Sequence, residues 1–245
     1  MNQPNSNGPV IEYQGICPVC MRSVLFSAKN EKFRDSLVCP SCSSVPRERA
    51  LALVLNEKRP NWRALAIHEC SPAERGISHR LRSDAHGYIA THFFPDKPLG
   101  SIVRGFRNEN LEAQTFADST LDLVVTLDVM EHLFDPEAAH REIWRTLRPG
   151  GLHICTFPIG KSQGPAIKWR AKRDSNGSIE HLAPAEYHGN PIGGGALVTV
   201  DYGYDIHKHI AEWAPFDVSV VRTANKTAGV LGEMTDVVVC EKRPT

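Results

Sequence analysis

Short apolar runs alternate with amphipathic segments from residue 64 onward, and this alternation restricts the possible folds more than any other feature of the chain. The apolar runs are "ALAIHEC", "GYIATHF", "LDLVVTLDV" and "GLHICTF", and segments with helical spacing, such as "AERGISHRLRSD" and "PEAAHREIWRTLR", lie between them. Such an alternation is typical of a parallel sheet with helices on both faces. It predicts an α/β fold whose ligands bind at the carboxyl ends of the strands.

Length and charge set the outer limits of the interpretation. The chain has 245 residues, of which 41% are hydrophobic, and this is enough for one sizeable core and a small additional module. Its 28 basic and 28 acidic residues give a formal charge of zero, so the composition does not favour nucleic acid as a partner. The sequence has no apolar run of membrane-spanning length, and its first residues lack a signal-peptide pattern. We therefore expect a cytoplasmic protein that does not bind a membrane.

Four of the seven cysteines form two C-x2-C pairs with 18 residues between them, Cys17 with Cys20 and Cys39 with Cys42. This spacing is typical of a zinc ribbon, in which four thiolates hold a structural Zn²⁺ and leave no position open for water. A redox pair or free thiols are the alternatives. The segment between the pairs, "MRSVLFSAKNEKFRDSLV", is predicted to form a short hairpin.

A helix that connects the ribbon to the main domain is predicted in "SVPRERALALVLNEKRPNW". The favoured interpretation leaves Arg47 and Arg49 solvated at the surface, and the alternative points them into a cleft as anion contacts. We therefore divide the chain into residues 1–46, a zinc ribbon with a disordered N-terminal tail, and residues 47–245, the main domain, with an insertion at about 158–200.

The segment 116–158, "FADSTLDLVVTLDVMEHLFDPEAAHREIWRTLRPGGLHICTFP", resembles the fourth and fifth motif regions of class I S-adenosylmethionine-dependent methyltransferases of type 11. The resemblance implies a Rossmann-like, seven-stranded sheet and S-adenosylmethionine as cofactor. It also implies that Asp128 lies near the methionine part of the cofactor, and that Glu131 and His132 border the acceptor. Pro149 and the following glycines are expected to end the helix and to turn the chain into the fifth strand.

The cofactor loop after the first strand departs from the family pattern of three closely spaced glycines. Here the loop reads "HECSPAERG", with Glu69 in the acidic place, Ser71 and Pro72 where glycines are expected, and Gly76 later. The same residues also predict a helix start, with Ser71 as N-cap, Pro72 in the first turn and Glu74 at the third position. The free N–H groups of that helix start would then face the cofactor carboxylate. A relative that binds no cofactor is the alternative.

Two more family positions follow along the chain. The second strand ends in Thr91 and His92, where the family has an acid for the ribose hydroxyls, and we expect His92 to lie in the cofactor site. Asn110 and Leu111 match the third motif, in which the side chain and the next backbone N–H meet the adenine ring. A turn before the strand is the alternative for this pair.

The segment after residue 158 is too long to be a bare connection and predicts a lid or an acceptor platform. Its basic side chains are expected to be solvated, with an anion contact as the alternative; they are Lys168, Arg170, Lys172 and Arg173. A helix, "IHKHIAEWAPF", and a final hairpin are expected to complete the sheet.

Within this segment, "EYHGNP" places three polar side chains beside a glycine, Tyr187, His188 and Asn190. A similar stretch occurs in bacterial zinc-ribbon methyltransferases. We expect it to hold the acceptor, with His188, His132 and Tyr187 as catalytic candidates, because an imidazole titrates near neutral pH.

The sequence predicts a methyltransferase that acts on a small-molecule or carbohydrate-type acceptor and binds one structural zinc. A non-enzymatic zinc-ribbon binding protein on a degenerate methyltransferase fold, and an RNA methyltransferase, are the alternatives. The neutral charge stands against the second of these.

Overall fold

A computed structural model describes residues 8–244. Residues 1–7, which belong to the predicted disordered tail, lie outside the described residues. Between residues 8 and 244 we find no helix with the length and apolar character that a membrane crossing requires. The elements are, in chain order, β1 (Ile11–Ile16), β2 (Ser23–Ala28), α1 (Phe33–Ser36), α2 (Pro46–Lys58), β3 (Ala66–Cys70), α3 (Gly76–Asp84), β4 (Gly87–His92), β5 (Ile102–Val103), β6 (Phe106–Asn108), β7 (Leu121–Leu127), α4 (Pro136–Thr146), β8 (Leu147–Thr156), β9 (Lys168–Trp169), β10 (Ala171–Arg173), β11 (Ile179–His181), β12 (Tyr187–Gly189), β13 (Gly195–Leu197), β14 (Val200–Asp201), α5 (Ile206–Trp213), β15 (Phe216–Val221) and β16 (Val237–Lys242).

The central sheet of the described residues has eight strands in the order β15-β16-β8-β7-β3-β4-β6-β5. Strands β6, β4, β3, β7 and β8 are parallel to their neighbours in this set, whereas β16, β15 and β5 are antiparallel. The predicted α/β class with a Rossmann-like parallel sheet is confirmed, and the strand beyond the predicted seven is β5, a two-residue edge strand paired with β6. The chain order reverses beside β3, and this switch point is where such sheets bind ligands.

Alternate residues of the strands pack into two separate cores, one on each face of the sheet. One core joins side chains such as Ile67 and Leu123 to helices α2 and α3 and to the cysteine-rich module. The other joins Val124 and Cys155 to α4, α5 and the segment after residue 158. The module and this segment therefore lie on opposite faces of one sheet, and their edges meet above the carboxyl ends of its strands.

The N-terminal module is a hairpin of β1 and β2 whose turn carries the first cysteine pair. The hairpin predicted between the two cysteine pairs is therefore reduced to one antiparallel bridge, between Ser27 and Val38. The tight C-x2-C turn instead pairs the whole of β2 with β1, the strand before it, and the short helix α1 follows.

The predicted helix is present as α2, which begins at Pro46, but its arginines are not on the surface. Arg49 is fully buried and donates hydrogen bonds to the carbonyl oxygens of Leu37 at 2.6 Å, Gly229 at 2.7 Å and Ser44. Burial lowers the pKa of this guanidinium. The favoured surface interpretation of Arg49 was wrong, because three backbone acceptors replace water around it.

The inserted segment forms three small antiparallel strand pairs among the described residues, β9 with β14, β10 with β11, and β12 with β13. It docks on the 3₁₀ turn Met130–His132 that follows β7. The Thr199 amide donates to the carbonyl oxygen of Glu131 at 2.9 Å, and the Tyr202 hydroxyl donates to that of Met130 at 2.9 Å. These bonds fix the insertion over the end of the central strand.

Candidate active site and cysteine cluster

A cavity of about 690 Å³ lies at the carboxyl ends of β3, β4 and β7. We call its two parts the ribbon end, around Arg34, Arg47 and Asp128, and the insertion end, around His132 and His188. The predicted site residues that line the cavity are Ser71, His92, Asn110, Leu111, Asp128, His132 and His188. Those that do not line it are Glu69, Pro72, Gly76 and Tyr187.

Asp128 is held at the ribbon end by two arginines. Its Oδ2 atom lies 2.7 Å from Arg34 Nη2 and 2.7 Å from Arg47 Nε. Its backbone has a φ of 52°, a left-handed conformation that non-glycine residues seldom adopt outside strained or functional positions. Arg47 therefore points into the cavity, as the alternative interpretation expected, and Arg34 reaches it from helix α1 of the cysteine-rich module. The sequence analysis did not identify Arg34.

The loop after β3 has the backbone that glycines usually provide, although its sequence is glycine-poor. Ser71 has a φ of 53°, in the left-handed region, and its amide donates to the carbonyl oxygen of Thr91 at 2.8 Å. The predicted helix start with Ser71 as N-cap was wrong, because an N-cap residue has an extended backbone. Helix α3 begins instead at Gly76.

The start of α3 is occupied by the cysteine-rich module rather than open to the cavity. The Gly76 amide donates to the carbonyl oxygen of Cys42 at 3.0 Å, and Arg75 Nη1 donates to that of Ser43 at 2.9 Å. A Cβ atom at Gly76 would lie 1.9 Å from Glu48 Oε2, so a larger residue does not fit there. The expectation that free N–H groups at the helix start face the cofactor carboxylate was therefore wrong for the helix that forms here.

Glu69 lies beneath the cavity floor and is fully buried. Its carboxylate accepts hydrogen bonds from Ser78 Oγ at 2.5 Å and from the Tyr88 hydroxyl at 2.7 Å. Burial raises the pKa of Glu69 to about 7, and the two hydroxyl donors oppose that shift. Its contacts thus connect β3 to α3 and β4, and any effect on a ligand would pass through the loop above it.

His92 and Asn110 stand at the outer wall of the cavity, on the side of β4 and β6. The His92 ring packs edge-on against Phe106 at 4.4 Å, and burial lowers its pKa to about 4, so it is neutral near pH 7. Asn110 Oδ1 accepts from the Glu112 amide at 3.0 Å. Glu109, which the sequence analysis missed, also lines the cavity and forms an ion pair with Arg107 at 2.6 Å. Glu109 could have been found in the sequence, because it is an acidic residue that directly follows a strand.

Two histidines meet at the insertion end. The rings of His132 and His188 are 5.2 Å apart and nearly perpendicular. His132 Nδ1 lies 2.8 Å from the carbonyl oxygen of Leu197, and His188 Nε2 lies 3.3 Å from Glu186 Oε1. The carboxylates of Glu131 and Glu186 raise the pKa of His188.

The Glu131 carboxylate lies beside the two imidazoles and is only 3% exposed. Its Oε1 atom lies 3.6 Å from His188 Nδ1 and 3.9 Å from His132 Nε2. Neither of its oxygens has a hydrogen-bond partner within residues 8–244. Tyr187, by contrast, is 61% exposed and lies outside the cavity.

The basic side chains of the insertion divide into two groups. Arg170 forms an ion pair with Asp201 at 3.0 Å, and Arg173 lies over the ring of Phe134 at 4.3 Å and lines the cavity. For Arg170 the expectation of a solvated side chain was wrong, because it is 18% exposed and pairs with Asp201, whereas Arg173 is exposed as expected. The other two are exposed, as expected; they are Lys168 and Lys172.

The four cysteines of the two pairs form a compact cluster, with all four sulfurs within 4.8 Å of one another. The Cys17 and Cys42 sulfurs are 3.7 Å apart, and those of Cys20 and Cys39 are 3.9 Å apart. Tetrahedral thiolates around Zn²⁺ at about 2.3 Å lie roughly 3.8 Å apart, whereas a disulfide is about 2.05 Å long. The cluster therefore fits a four-thiolate zinc site better than a pair of disulfides.

Comparison with known proteins agrees with this architecture. Residues 88–155 match a family model described as a methyltransferase domain. A curated protein of Mycolicibacterium smegmatis, described as a probable S-adenosylmethionine-dependent methyltransferase, is 38% identical over 52 residues, which are 21% of this chain. The chain spans 20% of the length of that relative.

Two solved structures share the fold. An S-adenosylmethionine-dependent methyltransferase from Mesorhizobium loti superposes with a TM-score of 0.51 at 13% identity, over 79% of this chain and 98% of the other. A protein from Pyrococcus horikoshii gives a TM-score of 0.51 at 14% identity, over 81% and 90%. These two structures confirm the predicted Rossmann-like fold, and within that fold residues 88–155 are similar to a methyltransferase domain.

Proposed function

We propose that this chain transfers a methyl group from S-adenosylmethionine to a small-molecule or carbohydrate-type acceptor. The observation that carries the proposal is the single cavity in which one end holds the residues expected to bind the cofactor and the other end holds the histidines expected to face the acceptor. Cofactor and acceptor would then meet inside one enclosed space. Methyl transfer requires this arrangement, because the acceptor atom must lie in line with the methyl carbon and the sulfonium.

The reaction is a single displacement. A lone pair of the acceptor attacks the methyl carbon, the carbon–sulfur bond breaks, and S-adenosylhomocysteine leaves with that electron pair. The protein contributes chiefly by holding the acceptor and the cofactor in line. The activation free energy falls because the loss of orientational entropy occurs on binding and not in the chemical step. An acceptor hydroxyl or protonated amine must also lose a proton to a nearby base.

The ribbon end suits the charged methionine part of the cofactor. Arg34 and Arg47 are placed to bind its carboxylate, because a guanidinium is a planar donor that matches a carboxylate. Asp128, which already accepts from both arginines, would hold them in position and lie near the cofactor amine. Ser71 and the loop around it would lie along the cofactor chain, while Asn110 and Leu111 would meet the adenine ring.

At the insertion end, His132 and His188 are the candidates for proton transfer. Both imidazoles line the cavity, and each has one ring nitrogen beside a protein acceptor. The other nitrogen of each ring faces Glu131. Tyr187 is a weaker candidate, because its ring lies outside the cavity.

We further propose that the four-cysteine cluster binds a structural Zn²⁺. Its sulfur spacing and the two buried members, Cys17 and Cys39, support a closed site without an open ligand position. Ser44 Oγ lies 3.2 Å from the Cys42 sulfur and could donate a hydrogen bond to a thiolate. Zinc in this position would stabilise the module that supplies Arg34.

Calorimetric titration with S-adenosylhomocysteine tests the proposal. We expect a dissociation constant in the micromolar range, about −8 kcal/mol. Asn110→Ala should weaken binding about fivefold to tenfold, the value of one hydrogen bond. The matched control is Asn176→Ala, in an exposed turn of the insertion, and it should bind as the wild type does.

Each alternative gives a different result. No heat with millimolar ligand would refute cofactor binding and favour a non-enzymatic binding protein. Tight RNA binding that falls steeply with salt would favour an RNA methyltransferase. Release of S-adenosylhomocysteine from S-adenosylmethionine, tested over a panel of hydroxylated small molecules and sugars, would identify the acceptor.

A further inference from the structure

Three side chains at the insertion end point their polar atoms at one position. Glu131 Oε1, His132 Nε2 and His188 Nδ1 all lie within 4.8 Å of one another. Two imidazole nitrogens and one carboxylate on one side of an ion form a ligand set that binds divalent transition metals and leaves other positions open. We propose that Glu131, His132 and His188 bind a divalent transition-metal ion at the wall of the cavity, separate from the cysteine cluster.

The first argument is the free-energy cost of burying the Glu131 carboxylate without a hydrogen-bond partner. Its carboxylate is 3% exposed, and neither oxygen has a hydrogen-bond partner in the described part of the chain. An isolated buried carboxylate is strongly destabilised unless it is paired, protonated or bound to a metal. A cation at this point would compensate both oxygens through one contact.

The second argument is the orientation of the two imidazoles. A histidine that binds a metal usually donates its other ring N–H to a carbonyl or a carboxylate, which fixes the tautomer and leaves the inner nitrogen free. His132 has the Leu197 carbonyl oxygen beside Nδ1 at 2.8 Å, and His188 has the Glu186 carboxylate beside Nε2 at 3.3 Å. The nitrogen that remains on each ring is the one that faces Glu131.

The third argument is distance. Ligands that bind Zn²⁺ at about 2.1 Å in a tetrahedron lie roughly 3.4 Å apart. The Glu131 oxygen is 3.6 Å from one imidazole nitrogen and 3.9 Å from the other, so a shift of a few tenths of an ångström closes the site. Direct hydrogen bonds would require a closer approach than these pairs have.

The position of the site gives it a role that rests on the proposed function. Both imidazoles line the cavity, so an ion between them would bind oxygen atoms of the acceptor directly. This favours an acceptor with two neighbouring oxygens, such as a vicinal diol or a hydroxy acid, because such a molecule can fill two open positions. Ligation would also promote loss of the acceptor proton.

Cobalt titration tests the metal site without reference to activity. We would add Co²⁺ to the full chain with its cysteine site loaded with zinc and record the visible absorption. We expect about one equivalent of Co²⁺ with a nitrogen–oxygen ligand spectrum and no thiolate charge-transfer band, since the cysteines stay occupied by zinc.

Three variants locate the ion. Glu131→Gln, which keeps the side-chain shape, should weaken cobalt binding at least 100-fold, and Glu186→Gln, which removes the partner of an outer nitrogen, should weaken it about 10- to 100-fold. His181→Ala, on an exposed strand of the same insertion, should bind as the wild type does. If Glu131→Gln does not fold, His188→Ala takes its place, because that side chain is 31% exposed.

A wild type that binds no Co²⁺ at millimolar concentration, or binds it as well as Glu131→Gln does, would overturn the proposal. Glu131 would then be paired only with a protonated imidazole. A chain that binds Co²⁺ at this site but neither binds S-adenosylhomocysteine nor transfers methyl groups would refute the proposed function and leave the metal site standing.

Discussion

At the ribbon end of the cavity, Asp128 accepts from two arginines and Glu48 lies 2.7 Å from Arg75. At the insertion end, Glu131 is also buried, and its oxygens lack hydrogen-bond partners within residues 8–244. The cysteine-rich module and helix α2 supply two cations to one oxygen of Asp128, although its Oδ1 atom also lacks a partner within those residues. At the insertion end the protein provides only two titratable rings beside the carboxylate. A carboxylate that already has arginine partners indicates a preformed binding surface, whereas one without them indicates that a ligand supplies the missing charge.

The largest effect should come from breaking the cysteine cluster. Cys39→Ser should lose the single equivalent of zinc and unfold the module, because the binding free energy of such a site is folding free energy, about 10 kcal/mol or more. Affinity for S-adenosylhomocysteine should fall at least 100-fold, because the variant loses Arg34 and also the module's contacts that hold the loop at Arg75 and Gly76. Metal analysis and calorimetry check both outcomes.

The same variant tests the independence of the two ends. Cobalt binding at Glu131 should survive in Cys39→Ser as long as the main domain stays folded, since the insertion docks on the opposite face of the sheet. Circular dichroism would verify that the domain is folded. Full zinc content in Cys39→Ser would contradict the four-thiolate assignment.

A smaller loss of stability is expected when the module keeps its zinc but loses Arg49, which connects it to the rest of the protein. Arg49→Met leaves the carbonyl oxygens of Leu37 and Gly229 buried without a donor, at a cost of about 2 kcal/mol or more. Denaturant unfolding should show this loss. Arg22→Met, an exposed arginine of the same module, is the matched control, and an equal loss in both would refute the anchoring role.

A change confined to the ribbon end should alter ligand affinity more than stability. Arg34→Met removes one of the two cations beside Asp128 and should weaken S-adenosylhomocysteine binding about 10- to 30-fold, the range for a charged hydrogen bond of 1.5 to 2 kcal/mol. Cobalt binding should not change. Unaltered calorimetric affinity would show that Arg34 serves Asp128 alone. Arg22→Met, an exposed arginine of the same module that does not line the cavity, is the control.

The smallest expected effect concerns the glycine-poor loop. Ser71→Gly should raise the free energy of unfolding by up to about 1 kcal/mol, because glycine adopts a left-handed backbone without the steric cost of a Cβ atom. Thermal unfolding would measure it. The matched variant Ser71→Ala should lack this gain, and a stability loss in Ser71→Gly would mean that the serine side chain contributes more than its backbone costs.

Most of the sheet could be predicted from the sequence, because its order follows from local apolar runs and from one motif region. Asp128 and His132 were found in the same way, since Asp128 directly follows the buried strand β7 and His132 lies in the 3₁₀ turn after it. Arg34 could not be found, because its partner Asp128 is 94 positions away and no local pattern joins them. The start of α3 was misplaced for a related reason. The residue types at Ser71 and after it favour a helix start in an isolated segment, whereas here contacts with the cysteine-rich module hold the loop in another conformation.

The anchoring of the module to residues near the end of the chain also determines when it can dock during synthesis. Arg49 donates to the carbonyl oxygen of Gly229, 180 positions later, and the Ile16 amide donates to that of Thr227. At the usual translation rate of 5–20 residues per second, the acceptor segment leaves the ribosome roughly 10–40 s after Arg49. Over that interval the nascent module has its four cysteines but lacks the segment on which it docks, so its apolar side chains there stay exposed.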